Sequence, residues 1–88
     1  MKRYEYTLHA KQKFLLPYVK KLGITRKQVE GVLENPIALD KSEDPVYIAI
    51  GELSKDLSLC VAYRKVEKGI RIITFYPAEK GRYESKIL

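Results

Sequence analysis

The stretch LSLCVAYRKVEKGIRIITFYP, residues 57–77, determines the fold class of this chain. Apolar residues alternate with polar or small ones on both sides of the turn signal EKG, which is the pattern of a β-hairpin. A two-residue loop would require positive φ at Glu67 and Lys68, which neither residue favours. We therefore expect a three-residue loop with Gly69 in the left-handed conformation.

This loop sets the predicted register of the hairpin. The cross-strand pairs are Val66 with Ile70, Arg64 with Ile72, Ala62 with Thr74, and Cys60 with Tyr76. One face then carries the apolar residues Leu59, Val61, Tyr63, Ile73 and Phe75. The other face carries Ala62, Arg64, Thr74 and Tyr76. Because a slip of one residue would move every side chain to the opposite face, the placement of Arg64 depends on the loop.

The N-terminal residues predict an extended segment followed by a helix. RYEYT, residues 3–7, alternates like a short half-buried strand or an extended arm. Thr7 can cap a helix that runs to about Leu22, with an apolar residue every three or four positions. Pro17 removes a backbone donor inside that helix, so it should kink or split the helix near residues 14–16.

A second helix is predicted over residues 26–34. Gly23 suits the C-terminal cap of the preceding helix, and Thr25 with Gln28 forms the pattern of a capping box. Asn35 and Pro36 should end this helix.

Beyond residue 36 the apolar period changes from 3.6 to two, with turn signals at residues 42–45, 54–56 and 67–69. The sequence therefore predicts one α+β domain over residues 1–88, with two N-terminal helices on one face of a three- to four-stranded antiparallel sheet. The other face is expected to be open. The residues predicted to be buried are Phe14, Val29, Val32, Leu33, Leu59, Val61, Ile73 and Phe75.

Composition narrows the possible chemistry. The chain has 88 residues, one cysteine and one histidine, so a Cys/His zinc site cannot be assembled and we expect chemistry without a metal or other cofactor. No apolar run is long enough for a membrane span, and none resembles a signal peptide. We expect a cytoplasmic protein with no membrane partner.

The net charge of +6 is unevenly distributed. Residues 1–39 carry eight basic and three acidic side chains, residues 40–56 carry two and five, and residues 57–88 carry seven and three. If the fold brings the two basic ends together, their field would attract a polyanion such as RNA, and the acidic segment should lie elsewhere. The alternative is that scattered lysines only keep a small protein soluble.

Two groups of residues are candidates for phosphate chemistry. Arg64 offers a bidentate fork, Thr74 a hydroxyl, and Tyr76 a ring or a phenol. Thr74 and Tyr76 are also ordinary residues for a strand. His9 can exchange protons near neutral pH and shares a helix face with Lys13, although a histidine at a helix start is commonly a solvated surface residue.

Four segments resemble a known family when taken in this order. They are YTLHAKQKF (6–14), LGITRKQVEGVLENP (22–36), LSLCVAYRKV (57–66) and IRIITFYP (70–77). They resemble a family of small domains with a histidine-bearing first helix and a closing Thr-x-Tyr-Pro strand. That family is similar to the RelE-like ribonuclease toxins of the barnase, EndoU, colicin and RelE fold group, and BrnT toxins share the layout.

The resemblance implies a metal-independent endoribonuclease, or the toxin-type module of a toxin–antitoxin pair, in which the ribose 2′-hydroxyl attacks the phosphate. It implies RNA as a partner, free or on the ribosome, and an acidic antitoxin. Lys13 stands where the family often has arginine. The catalytic residues implied are His9, Arg64, Thr74 and Tyr76, and the RNA contacts implied are Lys13, Arg82 and Tyr83. The alternatives are a non-catalytic RNA-binding domain and a protein-interaction domain of the same fold.

Overall fold

The computed structural model describes residues 3–80 and has an α+β architecture. The elements in chain order are β1 (Arg3–Tyr6), α1 (Leu8–Lys13), α2 (Pro17–Lys21), α3 (Arg26–Glu34), β2 (Ala38–Glu43), β3 (Val46–Glu52), β4 (Leu57–Val66) and β5 (Gly69–Glu79). The strands form one sheet in the order β1-β5-β4-β3-β2. Strand β1 is parallel to β5, and the other pairs are antiparallel. The prediction of three or four antiparallel strands is therefore corrected to a five-stranded mixed sheet.

The helical region divides at the position that the sequence predicts. Helix α1 ends at Lys13, and α2 begins with Pro17 in its first turn, where a missing backbone donor costs nothing. Gly23 then adopts a positive φ of 73°, which supports the predicted C-terminal cap. Within residues 3–80, no helix has the length and apolar character needed to cross a membrane.

Helix α3 forms as predicted because its start signal is entirely local. The Thr25 hydroxyl accepts a hydrogen bond from the Gln28 backbone, and the Gln28 side chain accepts one from the Thr25 backbone. The helix ends at Glu34, just before Asn35. Its buried side chains are Val29, Val32 and Leu33.

The β4–β5 hairpin has a different loop from the one predicted. Val66 pairs with Gly69, so the loop contains only Glu67 and Lys68. Neither residue has positive φ, and Gly69 is not left-handed. The extra residue is Ile73 of β5. It forms a β-bulge, because the neighbouring β4 residues Ala62 and Tyr63 pair with Thr74 and Ile72. Beyond the bulge, Ala62 pairs with Thr74 and Cys60 with Tyr76 as predicted, while Arg64 is opposite Arg71 rather than Ile72.

The bulge also changes which isoleucine enters the core. Ile72 is fully buried, whereas Ile73 is only half-buried, because the bulge shifts the alternation of β5 by one residue. Phe14 is half-buried rather than buried, and its ring lies 4.5 Å from that of Phe75. The other six residues of the predicted core are buried. They pack with Ala10, Val19, Ile24, Ala49 and Tyr63 between the helices and the sheet.

The face of the sheet opposite the helices, here called the second face, is not the open surface that the sequence predicts. Cys60, Ile50 and Ala78 form a buried cluster there. Ile48, Ala38 and Tyr76 pack against it. Burial raises the pKa of the Cys60 thiol to about 11, so this cysteine is a core residue rather than a nucleophile. The second face therefore has an apolar centre, and Arg64 and Arg71 lie toward its hairpin end.

Strand β1 is held to α3 by two tyrosine–glutamate hydrogen bonds. The Tyr4 hydroxyl donates to Glu34 at 3.2 Å, and the Tyr6 hydroxyl donates to Glu30. Two residues of a strand span about 6.7 Å and four residues of a helix span about 6 Å, so the two pairs match in spacing. Burial and the Glu30 carboxylate raise the pKa of Tyr6, which keeps its donor proton in place.

Strand β1 can lie beside β5 because position 69 is glycine. A Cβ atom at Gly69 would lie 2.0 Å from the Arg3 carbonyl oxygen, well inside van der Waals contact. Gly69, which the sequence predicts in the loop, instead allows β1 and β5 to lie close together.

Gly69→Ala should therefore separate β1 from β5 and lower the free energy of unfolding by about 2 kcal/mol or more. Gly31→Ala is the matched control, because no atom lies within 4 Å of the added Cβ in α3 and alanine is better than glycine in a helix by about 1 kcal/mol. Urea unfolding should show opposite signs for the two variants. Equal stability of Gly69→Ala and the parent protein would contradict this role for Gly69.

Candidate nucleic-acid interface

Thr7 connects the sheet to the first helix. Its backbone N–H donates to the Ile72 carbonyl at 3.1 Å, and its hydroxyl donates to the Ile73 carbonyl at 2.8 Å. The same hydroxyl accepts from the Ala10 backbone at 3.2 Å and so caps α1. The carbonyl at the bulge is thereby satisfied, and α1 starts at a fixed point on the edge of β5.

This arrangement places Lys13 at the edge of β5. Strand β1 pairs with β5 only from Gly69 to Ile72, so α1 rather than β1 flanks the next residues. Lys13 Nζ lies 3.2 Å from the Thr74 hydroxyl oxygen. It also lies 5.6 Å from the centre of the Phe75 ring and 5.8 Å from that of Tyr76, within the range of cation–π attraction.

The charge of Lys13 lacks a carboxylate partner among residues 3–80. The side chain is half-buried, and this burial lowers the pKa of Lys13 from its usual value of 10.5. Water is partly removed from the ammonium group, and only a hydroxyl and two rings replace it. A bound anion would offset the free energy that the ammonium group loses when water is removed from it.

His9 and Gln12 line a groove beside this ammonium group. The groove has a volume of about 200 Å³, and its other lining residues are Lys13 and Leu16. His9 is exposed and lies one helical turn before Lys13. Within residues 3–80 its ring has no hydrogen-bond partner in the structure, so it is free to approach a ligand.

Arg64 lies on the second face, as the sequence predicts, although its neighbour differs. Tyr63 and Ile72 are paired in the core, so the next pair, Arg64 and Arg71, projects to the other side. Thr74 follows one row further along the same face, opposite Ala62. Lys13 contacts Thr74 from α1, and Arg64 lies one row away on β4.

Two carboxylates of the acidic segment lie at the far edge of the sheet. Asp40 and Glu43 belong to β2, which is the edge strand opposite β1. Strands β3 and β4 separate them from β5 and Lys13. The carboxylates of β2 therefore do not compete for an anion at the Lys13 groove.

A second groove, of about 240 Å³, lies between α3 and β3. It is lined by Gln28, Gly31, Val32, Asn35, Gly51 and Glu52. Its charged residue is Glu52, which lies 3.6 Å from the Lys80 ammonium group. This groove has no cation in its lining and does not suit a phosphate.

The structure brings Lys13 into contact with Thr74, close to the Tyr76 ring and in one groove with His9. It places Arg64 on the second face, one row of the sheet from Thr74. Arg82 and Tyr83 lie outside the described residues. Residues 3–80 contain no group of three His, Cys, Asp or Glu side chains that could hold a metal ion. The sequence analysis missed Arg71, whose position opposite Arg64 would have followed from a two-residue loop.

Comparison of the chain with protein-family models, with curated proteins and with solved structures found no match. The geometry described above therefore carries the functional argument by itself.

Lys13→Met should leave the free energy of unfolding at pH 7 unchanged or raise it, because it removes a partly desolvated charge and keeps the stem. The folded state lowers the pKa of Lys13, so any gain should shrink as the pH approaches 10.5 and disappear above it, where both states are neutral.

Urea unfolding between pH 7 and 11 measures this gain. Lys11→Met is the matched control, since Lys11 is exposed on the same helix. A marked loss of stability in Lys13→Met alone would show that its ammonium group is structural.

Proposed function

We propose that this protein is a metal-independent endoribonuclease that cleaves RNA by attack of the ribose 2′-hydroxyl on the adjacent phosphate. The observation that supports this proposal is the partly buried Lys13 ammonium group, which lies on Thr74 beside the exposed His9 without a carboxylate partner in residues 3–80. An anion-binding group and a proton-transfer group thus face the same groove.

In this proposal the phosphate binds Lys13. His9 accepts the proton of the 2′-hydroxyl, the 2′-oxygen forms a bond to phosphorus, and the bond from phosphorus to the 5′-oxygen breaks. Water supplies a proton to the 5′-oxygen, the proton on His9 returns to water, and a 2′,3′-cyclic phosphate remains on the 5′ fragment. Lys13 stabilises the charge that develops on the phosphate oxygens.

Thr74 and Tyr76 position the substrate in the same scheme. The Thr74 hydroxyl already contacts Lys13 and can donate to a phosphate oxygen once the ammonium group shifts toward the ligand. The Tyr76 ring packs against the cluster of the second face and is an aromatic group on which a base can stack. Arg64 supplies a further guanidinium on that face.

One observation favours a second function, that of a non-catalytic RNA-binding domain. A general base is usually oriented by a hydrogen bond to its other ring nitrogen, and His9 has none within residues 3–80. A non-catalytic RNA-binding domain would need the cations and the ring but would not need an oriented histidine.

Single-turnover cleavage of a single-stranded RNA in EDTA tests the proposal, together with equilibrium binding. His9→Ala should lower the rate by roughly 10²-fold or more with little change in affinity. Lys13→Met should weaken binding by about tenfold or more, because it removes a charged contact. Lys41→Met, on the opposite edge strand, is the charge-matched control.

Salt-dependent binding without cleavage by the parent protein would favour the non-catalytic function. Absence of both binding and cleavage would reject the two RNA functions together. A His9→Ala protein that cuts at the parental rate would remove His9 from the mechanism.

A further inference from the structure

Arg64 and Arg71 are direct cross-strand partners at the hairpin end of the second face. In an antiparallel pair, opposite residues project to the same side and their Cβ atoms lie about 5 Å apart. Like charges at such positions destabilise a sheet. The fold therefore places two like charges opposite each other, although a neutral residue at either position would also suit a strand.

One carboxylate compensates only part of this charge. Glu5 lies beside Arg71 on β1, and its Oε2 atom is 3.2 Å from Arg71 Nε. Both side chains are about half exposed, so the ion pair contributes little. It occupies the Nε side of the guanidinium group and leaves the terminal nitrogens available. Arg64 has no carboxylate partner within residues 3–80.

The row next to the two arginines contains Ala62 and Thr74. Ala62 is small and buried, and Thr74 contacts Lys13. The backbone positions of the arginine pair thus lie one row of the sheet, roughly 7 Å along the strands, from Thr74, which Lys13 contacts. A chain with repeated phosphates could contact both the arginine pair and Lys13.

We propose that Arg64 and Arg71 together form a phosphate-binding subsite for a second phosphate of the bound polynucleotide, next to the one at Lys13. This inference rests on the proposed RNA function for its ligand, and the subsite itself recognises the phosphate group. Two forked cations can bind one phosphate through several charge-assisted hydrogen bonds, which converts their repulsion into a binding site.

The subsite predicts opposite effects on stability and binding. In chloride, Arg64→Gln should raise the urea midpoint, because it removes the repulsion from Arg71. In an Arg71→Gln background the same substitution should give no such rise, since the repulsion is already absent. Lys41→Gln, an equal charge change on β2, should leave the midpoint unchanged in either background.

Inorganic phosphate tests the ligand without RNA. At millimolar concentration and matched ionic strength, phosphate should raise the midpoint of the parent protein and of Lys41→Gln. This rise should be smaller in Arg64→Gln and in Arg71→Gln, where phosphate can still bind at Lys13 but not between the two arginines. A lower midpoint for Arg64→Gln in chloride, or an equal phosphate effect in all four proteins, would overturn the proposal.

Single-stranded RNA then distinguishes a polynucleotide from free phosphate. Arg71→Gln should weaken RNA binding by about tenfold and reduce the slope of log affinity against log salt by about one. Loss of the phosphate effect with unchanged RNA binding would reject the polynucleotide ligand. Because the phosphate measurement involves no cleavage and compares proteins that all keep Lys13, failure of the proposed ribonuclease function would leave its result interpretable.

Discussion

The hydroxyl group of Thr7 is the contact on which the arrangement of the candidate site depends. It donates to the carbonyl at the β5 bulge and accepts from the first turn of α1, so one oxygen satisfies the irregularity of the strand and starts the helix. A helix rises about 1.5 Å per residue, which places Lys13 about two turns from this fixed point. Lys13 reaches Thr74 because the Thr7 hydrogen bonds fix the start of α1 relative to the part of β5 that carries Thr74.

The bulge gives this contact its function. Without the extra residue, the alternation of β5 would continue from Ile72, and Thr74 would point toward the helices and the core. The bulge instead moves Phe75 into the core and Thr74 to the second face. The core ring under Lys13 and the hydroxyl beside it are therefore results of one backbone irregularity, while the two-residue loop sets the pairing of Arg64 with Arg71.

Local signals explain what could be predicted from the sequence. The caps at Thr7, Gly23 and Thr25 and the break before Pro17 depend on residues within a few positions of each other, and all four were confirmed. The predicted register of the hairpin was partly right for a physical reason. An extra residue in the loop and an extra residue in the strand give the same cross-strand pairs beyond the bulge. Only the residues between them, including Arg64, distinguish the two.

The non-local contacts could not be predicted in the same way. The pairing of β1 with β5 joins positions more than sixty residues apart, and four alternating residues do not specify a partner strand. The contact between Lys13 and Thr74 depends on that pairing. The sequence could indicate that His9 and Lys13 share a helix face, but it could not show which strand edge that face meets.

The parallel pairing of the first and last described strands also affects how the chain acquires its structure. Residues 3–6 have no place in the sheet until residues 69–72 are present, so during synthesis strand β1 must wait for more than sixty further residues to emerge. Helix α3 and the β2–β3–β4 meander contain mostly local contacts and can form earlier. The edge of β5 that β1 covers is then exposed on the partly folded chain, and closing it is a late step that completes the attachment of α1.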